Sequence, residues 1–285
     1  TSSNDFTGAV NLTNSGANNV ALRDENAIIL GTVNVGTGTL TVTAGTTITQ
    51  SGAITPAASA GLASFVAGGA ITLTNTANDF TGNVSLSGSS IDVRDANNLT
   101  VTSLANGTNQ PVTLMAGVSG TGGKLTLPAQ AISTGTAALD LESQGGSLET
   151  NGALSTSGDG SNTPSSGGNM TLVARDGITI SHDLTVGGNL KLLLSTNSTT
   201  DATTLLVPDA NKNTVATKEI NQFAGTIFVR GTSVIDAGDG GAHISQVDLT
   251  NGTNDFVTQT TSATNDFVGT VTARGTSTNS IVIID

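Results

Sequence analysis

The chain has 285 residues and a formal net charge of −12, and Gly, Thr, Ser and Asn supply 139 of its positions. Aromatics are 2%, with no Trp, Tyr or Cys, which argues against a nucleic-acid binder needing a basic face and stacking rings, a disulfide framework, thiol catalysis or a thiolate metal site. No apolar run approaches the roughly 18 residues of a membrane helix, strong helix formers are too scattered for a bundle, and 36% hydrophobic residues suffice to line a core and argue against disorder.

In chain order, the first element is the string Asn4-Asp5-Phe6-Thr7-Gly8-Ala9-Val10-Asn11-Leu12. Asn-Asp favours a turn through its side chains, Phe6 reads as an apolar plug, Gly8 as a turn or packing glycine, and the alternation Val10, Leu12 as a strand with one buried face. A second strand follows and ends in Arg23-Asp24. Apolar–Thr alternation after glycine then recurs at 38–42, 69–73, 123–127, 168–172 and 188–192. The Ala-rich run 55–64 reads as a loop or a single helical turn. The opening string returns as Asn78-Asp79-Phe80-Thr81-Gly82-Asn83-Val84-Ser85-Leu86, as Asn221-Gln222-Phe223-Ala224-Gly225-Thr226-Ile227, and as Asn265-Asp266-Phe267-Val268-Gly269-Thr270-Val271, with a partial copy at Asn254-Asp255-Phe256. Phe6, Phe80, Phe223 and Phe267 are therefore expected to be buried plugs, and Gly8, Gly82, Gly225 and Gly269 turn or packing glycines. All five Arg end strand-like runs and precede Asp or Gly: Arg23-Asp24, Arg94-Asp95, Arg175-Asp176, Arg230-Gly231 and Arg274-Gly275. These ends are expected to be exposed and worth little. Loop excursions are expected at 157–169 and 195–222.

The spacing of the copies is irregular. The 44 residues from Phe223 to Phe267 fit two turns of 22, whereas the 74 from Phe6 to Phe80 do not divide so neatly. Short stacked strands joined by loops of variable length predict an all-β parallel β-helix, a single segment over 1–285, rather than a propeller. Thr and Ser face outward, Val, Ile, Leu and Phe inward, and Asn and Gly take corners needing positive φ. Coils of about 22 residues rising about 4.8 Å each give roughly 13 coils and a rod on the order of 60 Å long. Residues 1–4 have neither the charged nor the apolar region of a signal peptide, and the run Ile281-Val282-Ile283-Ile284 carries strand character into Asp285. Together these predict a piece of a longer chain. The thiol-free, small-polar composition suits secretion into an oxidising envelope.

The N-D-F-x-G-x-V-x-L units, the Arg-Asp that follows a second strand, and stretches such as residues 45–54 resemble the repeat region of large secreted adhesins of the filamentous-haemagglutinin type, exported by two-partner secretion in Gram-negative bacteria. The resemblance implies a right-handed parallel β-helix, a long extracellular fibre on the bacterial surface, and adhesion to a host or neighbouring cell, glycans included, as the usual role. The Asn-Pro-Asn motifs of that family's secretion domain are absent, so the likeness is to the shaft. Autotransporter passengers share this composition, which leaves the secretion route open.

Three groups of residues offer chemistry. Ser181-His182-Asp183 holds triad residue types, but neighbours on a strand point to opposite faces and cannot converge. The Gly-rich run Asp236-Ala237-Gly238-Asp239-Gly240 offers oxygens for calcium at Asp236 and Asp239, against the plainer reading of a turn bonding its own backbone. The Arg-Asp pairs are candidates for binding acidic or sulfated sugars. The expectation is a non-catalytic structural or adhesive fibre with no catalytic or cofactor residues. The alternatives are a subunit of a self-assembling filament stacking end to end, and a glycan-degrading β-helix enzyme, which four Glu and the absence of Trp and Tyr disfavour.

Overall fold

The computed structural model describes residues 4–117, 123–159, 166–194, 217–222, 224, 226–237, 244–249, 265–267, 269–274 and 281–283. These residues form strands and turns with no helix. The paired strands run parallel, and the chain is a parallel β-helix, as its repeats predict. The first sheet carries eleven strands: β1 (Ala9–Thr13), β3 (Ile28–Asn34), β5 (Ile48–Gln50), β7 (Ile71–Leu73), β9 (Ile91–Asp95), β11 (Val112–Ala116), β14 (Leu139–Ser143), β17 (Met170–Ala174), β20 (Leu190–Leu194), β23 (Ser233–Asp236) and β26 (Val271–Arg274). The second holds β2 (Val20–Asp24), β4 (Leu40–Ala44), β6 (Ala63–Ala67), β8 (Asn83–Ser87), β10 (Leu99–Ala105) and β12 (Leu125–Thr126). The third holds β13 (Ile132–Ser133), β16 (Leu154–Ser155), β19 (Leu184–Val186), β22 (Ile227–Val229) and β25 (Asp266–Phe267). The fourth holds β15 (Ser147–Glu149), β18 (Gly177–Ile180), β21 (Thr217–Gln222), β24 (Ile244–Leu249) and β27 (Ile281–Ile283).

Parallel in-register pairing turns the strand alternation into columns. One inward column of the first sheet runs Ile28, Ile48, Ile71, Ile91, Val112, Leu139, Met170, Leu190, Ser233, Val271. In the second sheet Leu22, Val42, Phe65 and Leu86 stack likewise. Outward rows carry small hydroxyls, as Thr41, Ser64 and Ser85 do. Where a strand bends into its corner the inward position takes a small side chain: Ala116, Ser143 and Ala174 lie in one such column, and Ala44 and Ala67 in another. Each column begins with an aspartate, Asp95 below Ala116 and Asp24 below Ala44.

The corners explain the abundance of asparagine. An Asn carboxamide oxygen repeatedly accepts a backbone N–H from the next coil: Asn11 from Thr32 at 2.8 Å, Asn19 from Thr39 at 2.9 Å, Asn98 from Lys124 at 2.8 Å, Asn169 from Asn189 at 3.0 Å, and Asn189 from Thr232 at 2.9 Å. These bonds satisfy N–H groups where the chain leaves the sheet ladder. Positive φ is not their reason. Among described non-glycine residues it occurs at Ser59 and Asn109, and among glycines at Gly16, Gly117 and Gly135. Most corner glycines are instead required by close stacking: a Cβ at Gly188, Gly231 or Gly269 would collide with the carbonyl of the glycine one coil below.

Coil length departs from the expected 22. Partners in the first sheet are 20 residues apart from Ile28 to Ile48 and 43 apart from Leu190 to Ser233. Among the described residues the stack therefore has eleven levels in that sheet and spans about 50 Å at about 4.8 Å per level, against the 13 coils expected. The coil that ends at Phe267 is 38 residues long, because Val229 pairs directly with Phe267, so no pair of 22-residue turns separates them. The excursion expected over 195–222 ends earlier, with 217–222 forming β21; residues 195–216 lie outside the described residues. In 157–169, Ser157 and Gly167 form an isolated antiparallel bridge.

Candidate functional site

The most elaborated corner is the Asn78-Asp79-Phe80 turn ahead of β8. The Asn78 side chain is fully buried. Its oxygen accepts from Gln50 Nε2 at 2.8 Å and from the Ile54 N–H at 3.0 Å, and its Nδ2 donates to Gln50 Oε1 at 2.9 Å, Leu73 O at 3.1 Å and Arg94 O at 3.2 Å. Asn265 repeats this reciprocal amide pair with Gln222, at 2.9 and 2.8 Å, and accepts the Ile227 N–H at 3.0 Å. Gln222, which aligns in sequence with the aspartate of the motif, thus plays the part of Gln50. Phe80 is 3% exposed, with its ring 5.9 Å from that of Phe65 at 77°, the edge-to-face arrangement aromatic quadrupoles favour.

Asp95 closes the same corner from the other side. Its carboxylate accepts the Phe80 N–H at 2.8 Å and the Asn97 N–H at 2.7 Å. Asp24 makes the equivalent bonds to Phe6 and Asn26, each at 2.7 Å. Both aspartates are buried, which corrects the expectation that Arg-Asp pairs mark exposed strand ends. Burial pushes Asp95 up to about 6; the two N–H bonds pull it down, and the charge of Asp79 raises it further. Two segments far apart in sequence, N-D-F and R-D, are therefore one clasp.

Between the clasp's two turns lies a groove of about 300 Å³ lined by Asp79, Phe80, Thr81, Gly82, Asn83, Asn97, Asn98 and Thr100. Its floor comes from β8 and β10. Thr81 Oγ1 donates to Ala57 O at 2.5 Å and Asn98 holds the Lys124 N–H. The chemistry on offer is hydrogen bonding by a carboxylate, carboxamides and hydroxyls.

The remaining predicted residues divide. Phe267 is 6% exposed and buried as expected. Phe6 is 38% exposed, because β1 has a stacked neighbour, β3, on one side only, so it is not the plug its motif suggests. Gly82 packs against the carbonyls of Ala60 and Gly61, and Gly269 against that of Gly231. Gly8 lies in the bend ahead of β1, where a Cβ would meet nothing and φ is not in the left-handed region, so neither close packing nor backbone conformation requires glycine there. Phe223, Gly225 and Asp239 lie outside the described residues. Asp236 is 4% exposed, in register with Leu193 and Arg274. Among the described residues no three His, Asp or Glu side chains come together as metal ligands. His182 Nδ1 is 2.7 Å from Thr150 O, while Asp183 accepts from the Thr226 N–H and hydroxyl at 2.8 and 3.1 Å. The two point to different neighbours, so the triad reading has no geometry behind it. On the outer face of the first sheet Asp92 and Asp140 flank Thr113. Both are held above the usual carboxylate range, first by desolvation against the sheet, and Asp92 further by the charge of Asp140.

The sequence marks neither Gln50 nor Phe65, and it marks Asp95 only as part of an Arg-Asp strand end, not as a buried acceptor. The recurrence of Asp after Arg was a signal for Asp95; for Gln50 there was none, since 28 residues separate it from Asn78.

No helix among the described residues is long and apolar enough to cross a membrane. No curated protein and no solved structure matches the chain. A family model described as repeats of unknown function (DUF5649) matches residues 17–87 and 194–263, and over those two segments the chain is similar to these repeats.

Proposed function

We propose that the chain is a segment of an extracellular, non-catalytic fibre on a Gram-negative bacterial surface, holding an adhesive region away from the cell or adhering along its own length. The observation that carries this reading is where the polar side chains are spent. Asn11, Asn19, Asn78, Asn98, Asn169 and Asn189, together with Asp24, Asp95 and Asp183, bond backbone groups across coils. Such a chain devotes its chemistry to stacking, which is what a rod under load requires. The filamentous-haemagglutinin likeness supports the same reading, with partners on a host or neighbouring cell.

Electron microscopy of the purified chain, with light scattering on the same sample, tests it. Separate rods near 50 Å, from about 4.8 Å per level, are expected. Long end-to-end filaments would replace the shaft with a self-assembling subunit. Reproducible polysaccharide cleavage lost in Asp92→Asn or Asp140→Asn would replace it with an enzyme.

A further inference from the structure

We propose that the groove at the Asp79 corner is a binding site for a neutral saccharide unit. Four observations carry it. First, the groove's volume of about 300 Å³ lies at the lower end of the roughly 300–1,000 Å³ range of small-molecule clefts, room for one sugar ring. Second, Asp79, Asn83, Asn97 and Thr100 line it and their side chains make no hydrogen bond among the described residues, whereas most other corner Asn and Asp side chains are occupied by backbone groups. A carboxylate beside carboxamides and a hydroxyl presents alternating acceptors and donors, the complement of vicinal hydroxyls. Third, the frame is fixed before any ligand arrives. The Phe80 and Asn97 N–H groups hang on one buried carboxylate, Asp95, at 2.8 and 2.7 Å, the Asp79 N–H is bonded to Ile54 O at 2.9 Å, and Asn83 and Thr100 stand on strands. Groups held in place lose less entropy on binding. Fourth, the sign of the charge selects. Asp79 lines the groove with no cation among its lining residues, and the chain carries −12, so sialylated, uronic or sulfated sugars are repelled. This reverses the sequence-based idea of an Arg-Asp ladder for acidic sugars. The equivalent corner at Asp5 keeps Asp5 and Asn26 at the places of Asp79 and Asn97 but has Ala9 and Ile29 in place of Asn83 and Thr100, and Ala27 in place of Asn98, so it lacks two of the four free polar groups. Without an exposed ring to stack on, affinity rests on hydrogen bonds, and Kd falls in the millimolar range, about −4 kcal/mol. The site adds a ligand to the shaft reading and is independent of it: rods that bind no sugar refute only the groove.

The test is NMR titration of the full ¹⁵N-labelled chain with methyl glucoside, galactoside, mannoside and N-acetylglucosaminide, with N-acetylneuraminate and calcium chloride run alongside. At least one neutral glycoside is expected to move the amides of Thr81, Asn83 and Asn97. Asp79→Ala and Asn97→Ala should each weaken that binding by about tenfold or more, a change of about 1.4 kcal/mol, and Asp5→Ala should leave it unchanged. Neither Asp79 nor Asn97 has a side-chain partner to lose, so both variants keep the fold, and unchanged spectra elsewhere verify this. The proposal is overturned if no neutral glycoside moves these amides, if the shifts survive in Asp79→Ala and Asn97→Ala, if N-acetylneuraminate binds as well, or if calcium alone moves the same resonances.

Discussion

Replacing Asn78 with Asp separates hydrogen-bond polarity from packing, because the two side chains have nearly the same shape. In the native corner Nδ2 shares its two protons among Gln50 Oε1, Leu73 O and Arg94 O, and Oδ1 accepts from Gln50 Nε2 and the Ile54 N–H. In the variant an oxygen faces three oxygens in a fully buried position. Rotating Gln50 to donate is opposed, because its Nε2 also holds Gly52 O at 2.6 Å and its Oε1 the Asn75 N–H at 3.3 Å. Truncation to alanine gives the scale. The two Nδ2 protons and the bond from Gln50 Nε2 contribute about 1 kcal/mol each, and a buried N–H left at Ile54 costs about 1–3 kcal/mol, so Asn78→Ala should lose about 4–6 kcal/mol. Asn78→Asp should lose at least as much at pH 7, since a buried carboxylate without a partner costs more than a gap. Its folded pKa is raised above the unfolded value, so stability returns as pH falls through that raised value, when the protonated carboxyl can donate one bond. Urea unfolding gives the midpoint shift, and hydrogen exchange at the Ile54 amide gives the local readout. If Asn78→Asp matches the native chain within about 0.5 kcal/mol at pH 7 and Ile54 stays protected, the amide pair does not hold the corner.

Phe80→Ala should cost about 3–5 kcal/mol in urea unfolding, whereas Phe6→Ala, whose ring is 38% exposed, should cost less than about 1 kcal/mol; equal losses would refute the burial argument. Asp95 is raised to about 6, so the stability it contributes is full below its unfolded value of about 4 and is lost as pH rises through about 6. The urea midpoint of the native chain minus that of Asp95→Asn should therefore fall across this window, and a flat difference would show that the carboxyl is not strained by burial. Ser233 occupies the inward column between Leu190 and Val271 with a buried hydroxyl that has no partner. Ser233→Ala should raise stability by about 1 kcal/mol; a loss of that size would show the hydroxyl is satisfied.

The stacked fold was legible because its cause is local and repeated. Asn-Asp, Phe and Gly at fixed spacing encode a turn, a plug and a strand wherever they occur, and the columns follow once parallel strands stack in register. What depended on the neighbouring coil was not legible. Phe6 and Phe80 share a motif, yet the ring of Phe80 meets Phe65 while Phe6 has a stacked coil on one side of its strand only. Gly8 and Gly82 share a letter, yet only Gly82 has a carbonyl pressed against it. Gln222 looked like a worn copy of Asp79, when its role is that of Gln50, one coil earlier. Arg-Asp told the strand's end but not the side on which the aspartate lay, so the buried carboxyl that hangs the groove's two walls stayed hidden.

The copies of the motif at Phe6 and Phe80 sit on different faces. β1 and β3 pair with a register shift between Val10 and Leu12; β8 and β10 pair with the corresponding shift between Val84 and Leu86, opposite Val101 and Leu104. The local unit is the same, yet β1 lies in the first sheet and β8 in the second. The sequence repeat is therefore not tied to a face of the solenoid. It specifies a corner, and the faces follow from whichever corner comes next. This reconciles a recognisable motif with coils of 17 to 43 residues: lengthening a loop costs little, about 0.6 kcal/mol per doubling, whereas an unmet corner N–H or a side chain in the glycine stack costs more than that at once. The fold therefore depends on acceptors and glycines at the corners far more than on coil length. The Asp79 groove fits that logic, because it is a corner whose acceptors exceed what stacking consumes.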